Sequence, residues 1–177
     1  MAASVSEALQ EAFRAAGMEL QGEALERMEA PRPLPFVSRR ATARVRQPLE
    51  APRECPYCGR APRYVHHREI YGGRAYGKWP YALACACGAR VGLHPYTSIP
   101  LGTLADERLR QARRDAKELW STLCFRREWS RSEGYDWLAQ CLEVEKGQAH
   151  FGWMTLEQCR HVERAARSAM TGDSYAG

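Results

Sequence analysis

The sequence predicts an α+β protein: a small ribbon of three short antiparallel strands, then a unit of three helices, with an amphipathic helix at the N-terminus. Three observations carry this expectation. Cysteines stand in two close pairs, Cys55/Cys58 and Cys85/Cys87. Between and just beyond them, RYVHHREIY, KWPYALAC and ARVGL are short runs rich in aromatic and β-branched residues, broken by Gly72-Gly73. After Pro100, apolar residues recur at helical spacing in three successive stripes.

Taken in chain order, residues 4–29 carry Val5, Leu9, Phe13, Ala16 and Leu20 on one face and acids on the other, with Ser4 or Ser6 as cap. Such a face packs on its own domain or docks a partner, either a host or phage protein or a second copy of the chain. Residues 30–53 follow, with Pro31, Pro33, Pro35, Pro48 and Pro52 among Arg39, Arg40, Arg44 and Arg46. Proline removes backbone donors and disfavours helix, so this stretch reads as an extended basic linker. Two readings of it stand, a solvated tether and an arm that tracks phosphates. Residues 54–104 form the ribbon and its following loop, and residues 105–177 the helical unit. The three stripes are Leu109, Ala112, Ala116, Leu119 and Leu123; then Tyr135, Leu138, Ala139 and Leu142; then Leu156, Cys159, Val162, Ala166 and Met170. Ser130 or Ser132 opens the second helix and Thr155 caps the third.

Composition excludes several classes. Charged residues make up 27% of the 177 and hydrophobic ones 45%, the balance of a globular protein rather than a disordered one. The longest apolar run, YALACA, is too short to cross a bilayer, and MAASVSEALQEAFRAAG has acids and no apolar core, so neither a membrane span nor a targeting segment is expected. A cytoplasmic protein is therefore expected, in a reducing compartment where paired cysteines read as metal ligands before disulfides. The net charge of +5 is unevenly spread. Residues 1–30 carry −4, residues 31–60 and 61–120 each +5, and the remainder −1. Basic density over the linker, ribbon and first following helix is the footprint expected of a nucleic-acid partner.

In CPYCG the chain turns tightly between Cys55 and Cys58, and the following Gly59 frees backbone N–H groups to point at sulfur. In CACG, Cys85 and Cys87 supply the second pair. Four thiolates close a tetrahedral site around one structural Zn²⁺ with no open position. The second pair has a single intervening residue, so a set of three cysteines with His94, His66 or His67 in place of Cys85 or Cys87 stays open.

These blocks also resemble a known family. CPYCG, REIYGGRAYGKWPYALAC, CGARVGLHPYTSIPLGTLAD, LRQARRDAKELW, SRSEGYDWLAQCL and HFGWMTLEQCRHV occur in the order seen in a zinc-finger-containing domain of bacterial and tailed-phage proteins. The resemblance covers about residues 54–165. It implies a zinc ribbon joined to a helical tail, in a phage or prophage setting, within the host cytoplasm. Relatives typically have a longer insertion where Ala86 separates Cys85 from Cys87, and a histidine where Lys117 stands.

Function is then expected on the surface around the metal. Arg60, Arg63, Arg68, Arg74, Lys78 and Arg90 alternate with aromatics including Tyr76 and Trp79. With Arg39 and Arg40, these are the candidate nucleic-acid contacts, arginines for phosphates and rings for unpaired bases. His94, Tyr96 and Thr97 lie in a loop that either carries function or packs. His66 and His67, read as neighbours in one strand, would point to opposite faces. No HExxH, HNH-like or phosphate-loop pattern occurs, so the expectation is a non-enzymatic binder of single-stranded or non-specific nucleic acid. A protein adaptor and a metal-dependent nuclease are the alternatives. Cys124, Cys141 and Cys159 fall on or beside helical stripes and read as core.

Overall fold

The computed structural model describes residues 27–171. The predicted N-terminal helix lies outside them except at its end, where Arg27–Met28 form strand β1 instead. β1 pairs antiparallel with β2 (Val37–Ser38), Arg27 opposite Ser38 and Met28 opposite Val37. Helix α1 (Arg39–Ala43) follows directly. Next come β3 (Arg63–His66), α2 (His67–Ile70), β4 (Tyr81–Ala84) and β5 (Arg90–Gly92). Helices α3 (Glu107–Arg126), α4 (Arg131–Leu142) and α5 (Leu156–Thr171) complete the order. The second sheet has strand order β3-β4-β5, with β4 and β5 antiparallel and Leu83 opposite Val91. The expected α+β architecture of a three-stranded ribbon and three helices is present.

The described residues divide into two compact units whose segments interleave along the chain. One contains residues 27–48, 64–81 and 93–99, and the other residues 49–63, 82–92 and 100–171.

The first unit is built on aromatic rings. Trp79 is buried, and its indole N–H donates to Thr97 O at 3.0 Å. Around it stand Phe36 at 5.3 Å, Tyr96 at 5.5 Å and Tyr81 at 5.0 Å between ring centroids, spacings at which aromatic pairs attract. Two expectations are corrected here. Residues 30–53 are not wholly an extended linker, because Leu34, Phe36, Val37 and Ser38 are buried and α1 forms within the stretch. Its prolines lie outside α1, and Ser38 Oγ caps that helix by accepting from Ala41 N at 3.1 Å. His66 and His67 are not strand neighbours. His66 ends β3 and caps α2, its Nδ1 accepting from Arg68 N at 3.2 Å while Glu69 accepts from His66 N at 3.1 Å.

The second unit holds the helical core. Ala116, Trp120, Leu138, Phe151, Met154, Cys159 and Val162 form one buried cluster. Each helix starts at a side-chain cap. Asp106 accepts from Leu109 N at 2.8 Å, Ser130 and Glu133 form a reciprocal box, and Thr155 accepts from Gln158 N at 3.2 Å. Trp120, absent from the predicted stripe, is buried and donates to Gly134 O at 2.9 Å. Cys159 is buried, and Cys124 and Cys141 pack against the same cluster as expected of core residues. Burial pushes the Cys141 and Cys159 thiols up to about 11, which keeps them protonated and unreactive. Gly102 crosses Gly152 so closely that a Cβ on Gly102 would stand 2.2 Å from Gly152 O. Thr103 N donates to that same carbonyl at 2.9 Å.

Candidate metal centre

All four paired cysteines lie in the second unit, on two knuckles built to one plan. In the first, Cys55 N donates to Arg60 O at 2.9 Å and Gly59 N to Cys55 O at 2.9 Å, with Gly59 at φ 71°. In the second, Cys85 N donates to Ala89 O at 2.8 Å and Gly88 N to Cys85 O at 2.9 Å, with Gly88 at φ 92°. Both bonds span one residue fewer in the second knuckle, which absorbs the missing residue between its cysteines. Its geometry is fixed by the sheet, since residues 85–89 are the turn joining the Ala84/Arg90 pair of β4 and β5. Positive φ at the residue after the second cysteine is left-handed backbone, which glycine enters without penalty.

Across the knuckles, Cys55 Sγ lies 3.6 Å from Cys87 Sγ, and Cys58 Sγ lies 3.4 Å from Cys85 Sγ. All four sulfurs fall within 4.8 Å of one another. A tetrahedron with metal–sulfur bonds of about 2.3 Å has edges of about 3.8 Å, so the spacing fits one four-coordinate ion. The donor set is uniformly soft and closed, which suits Zn²⁺ in a structural role. Cys55 and Cys85 are buried, whereas Cys58 and Cys87 are exposed. Among the described residues no histidine joins the group, so four thiolates, and not three with His66, His67 or His94, make the site.

Backbone amides already face these sulfurs. The Cys87 N–H is the largest influence on Cys85 and draws its thiol down to about 7. Burial pushes the Cys55 thiol up, opposed by the Tyr57 and Cys58 amides. At Cys58 the Arg60 amide is the largest influence and lowers it, but the neighbouring thiols and burial together raise it to about 11. The segment leading into α3 braces the first knuckle and the first turn of α3 the second. Tyr57 O–H donates to Leu104 O at 3.4 Å, and Arg110 Nη1 donates to Gly88 O at 3.2 Å and Ala105 O at 2.7 Å. Glu107 pairs with Arg110, with Arg114 at 3.2 Å and with Arg90 at 3.8 Å, and its carboxyl is held below the usual range, chiefly by the Arg110 and Arg114 hydrogen bonds. Sequence reasoning missed Arg110 and Glu107, whose spacing reads only as an ordinary i,i+3 helix pair.

A scan of family models matches residues 51–169 to a zinc-finger-containing domain. The chain belongs to that family. Comparison with curated proteins and with solved structures gave no match. This zinc-finger-containing protein thus binds a metal through Cys55, Cys58, Cys85 and Cys87, with one structural zinc as the ion that the site fits.

The other candidate residues are dispersed. Arg68, Arg74, Lys78 and Tyr76 are exposed on one tightly turned segment of the first unit, where Gly73 N donates to Arg68 O at 3.0 Å and Arg74 N to Tyr71 O at 3.2 Å. Tyr76 packs edge-on against Tyr71 at 5.3 Å and leaves 52% of its surface open. Arg39 and Arg40 are exposed on α1 of the same unit, and Arg60 and Arg63 are exposed in the other. Two candidates are corrected. Trp79 is core and presents no free face, and Arg90 is half-buried against Glu107. In the His94 loop, Thr97 is fully buried, donates to His94 O at 3.0 Å and accepts from Ile99 N at 3.0 Å, so its hydroxyl is a turn-builder. Tyr96, at φ 62°, packs on Phe36 and Trp79.

Proposed function

We propose that this protein is a non-enzymatic nucleic-acid binder, whose metal fixes a scaffold and whose first unit supplies the contact surface. One observation carries the reading. Among the described residues of the first unit nine Lys and Arg stand against two acids, and Arg39, Arg40, Arg68, Arg74 and Lys78 of these are exposed. A positive field of that density attracts phosphates and makes affinity depend steeply on salt. Exposed Arg68, Arg74 and Lys78 beside Tyr76 suit single strands, where cations hold the backbone and a ring stacks on an unpaired base. Reducing cytoplasm, including that of a host if the gene is phage-borne, keeps the four thiols available to metal.

The test is fluorescence anisotropy with labelled single-stranded and duplex DNA and RNA over a salt series. Single strands should bind more tightly than duplex. Log affinity should fall linearly with log salt, by about 0.7 for each phosphate neutralised. Absence of binding at low salt overturns the reading and returns the adaptor alternative.

A further inference from the structure

Within the second unit lies a cavity of about 650 Å³, in the size range of small-molecule pockets. Leu104, Leu109, Met154 and Leu156 make its apolar walls. Two aromatic residues, Tyr57 and Trp153, line it as well. The exposed residues Glu50 and Glu54 also line it, neither in an ion pair among the described residues. Asp106 is a third carboxylate, engaged through one oxygen as the α3 cap. The two guanidiniums are unlike one another. Arg113 commits its donors to Met154 O at 2.8 and 3.0 Å, Thr103 O at 3.1 Å and Thr103 Oγ1 at 2.6 Å, so it serves as a strut. Arg108 is exposed on the first turn of α3.

We infer that this cavity binds amphipathic ammonium ions: an apolar body of drug-like size carrying a quaternary or protonated amine. Leucine and methionine walls take the body, while the Tyr57 and Trp153 rings and the excess of carboxylates take the charge. Aromatic faces attract cations through their quadrupole, most strongly where water is excluded. Arg68, Arg74, Lys78 and Tyr76 have no part in this site. The metal does, at one remove. Pro56 and Tyr57 line the cavity and lie between Cys55 and Cys58, so the ion that closes the first knuckle also sets the wall.

The experiment uses the full zinc-loaded chain and three probes with the same phenethyl body and different heads: phenethyltrimethylammonium, 2-phenylethanol and 3-phenylpropionate. Binding is followed by ligand-observed NMR. The cation should bind about tenfold more tightly than the carboxylate, with the alcohol between them. Glu50→Gln with Glu54→Gln should bring cation and carboxylate within about twofold while the zinc content stays constant. Leu49→Trp, which fills the cavity from its irregular edge, should abolish binding of all three, and removing zinc with a chelator should do the same. Equal affinities for the three probes, binding that survives Leu49→Trp, or no binding of the cation would each overturn the proposal.

Discussion

The two units of this protein solve the problem of a small core in different ways. In the second, four sulfurs and a metal hold two knuckles, and three capped helices bury a continuous cluster around Trp120 and Leu138. Among its described residues the first has no helix longer than five residues, and it draws its interior from short segments far apart in sequence. There, rings take the place of metal: Phe36, Trp79 and Tyr96 interlock, and one indole hydrogen bond ties Trp79 to Thr97. A metal staple concentrates stability in four residues, whereas an aromatic core spreads it over contacts that each contribute about 0.5–1.5 kcal/mol beyond their buried area.

The largest effect expected from breaking this contrast is loss of the metal. Structural zinc contributes about 10–16 kcal/mol of apparent binding free energy in small metal-folded units. Cys55→Ser or Cys85→Ser should remove zinc measured by elemental analysis and lower the melting temperature seen by circular dichroism. A chelated protein that melts unchanged would contradict a structural role. Next comes Trp79→Ala, which should cost about 3–5 kcal/mol in chemical denaturation yet leave the zinc content intact. Loss of zinc in that variant would show that the rings also support the metal site.

Smaller effects sharpen the comparison between the knuckles. Gly88→Ala should weaken zinc retention against a competing chelator more than Gly59→Ala, because φ 92° lies further from the left-handed well near 57° than φ 71° does. Either change should cost about 1–2 kcal/mol. Glu107 adds a pH signature. Its carboxyl is held below its usual value by Arg110 first, so the stability it contributes is full above the unfolded carboxylate value of about 4.3 and is lost as pH falls through the folded value. Glu107→Gln should flatten that acid limb in a pH series of melts. The least effect on stability, within about 0.5 kcal/mol, is expected for combined Arg68→Ala, Arg74→Ala and Lys78→Ala. The same variant should make the salt dependence of nucleic-acid binding shallower by about 2.

Much of the second unit was legible in the sequence because its signals are local. A cysteine pair followed by glycine, a capping serine or threonine, and a 3.6-residue stripe each lie within a few positions of one another. The single residue between Cys85 and Cys87 left the fourth ligand open, and the β4–β5 turn supplies the missing constraint. The first unit was largely illegible because its decisive contacts are remote. Nothing near Phe36 announces that Trp79 and Tyr96 will pack on it, so a proline- and arginine-rich stretch reads as linker. By the same failure Trp79, surrounded in sequence by Lys78 and tyrosines, reads as a surface ring. The cavity escaped for a third reason, since its walls come from three separate stretches with no shared motif.

Each cross-knuckle sulfur pair joins a sheltered partner, Cys55 or Cys85, to an open one, Cys87 or Cys58. The two exposed cysteines turn one edge of the coordination tetrahedron toward solvent. An incoming chelator or thiol can therefore displace them stepwise by association, without waiting for the chain to unfold. Exchange of the ion is then expected to begin at Cys58 and Cys87, with Cys55 and Cys85 holding it longest. Isotopically labelled zinc should enter the protein at a rate that rises with the concentration of competing thiol.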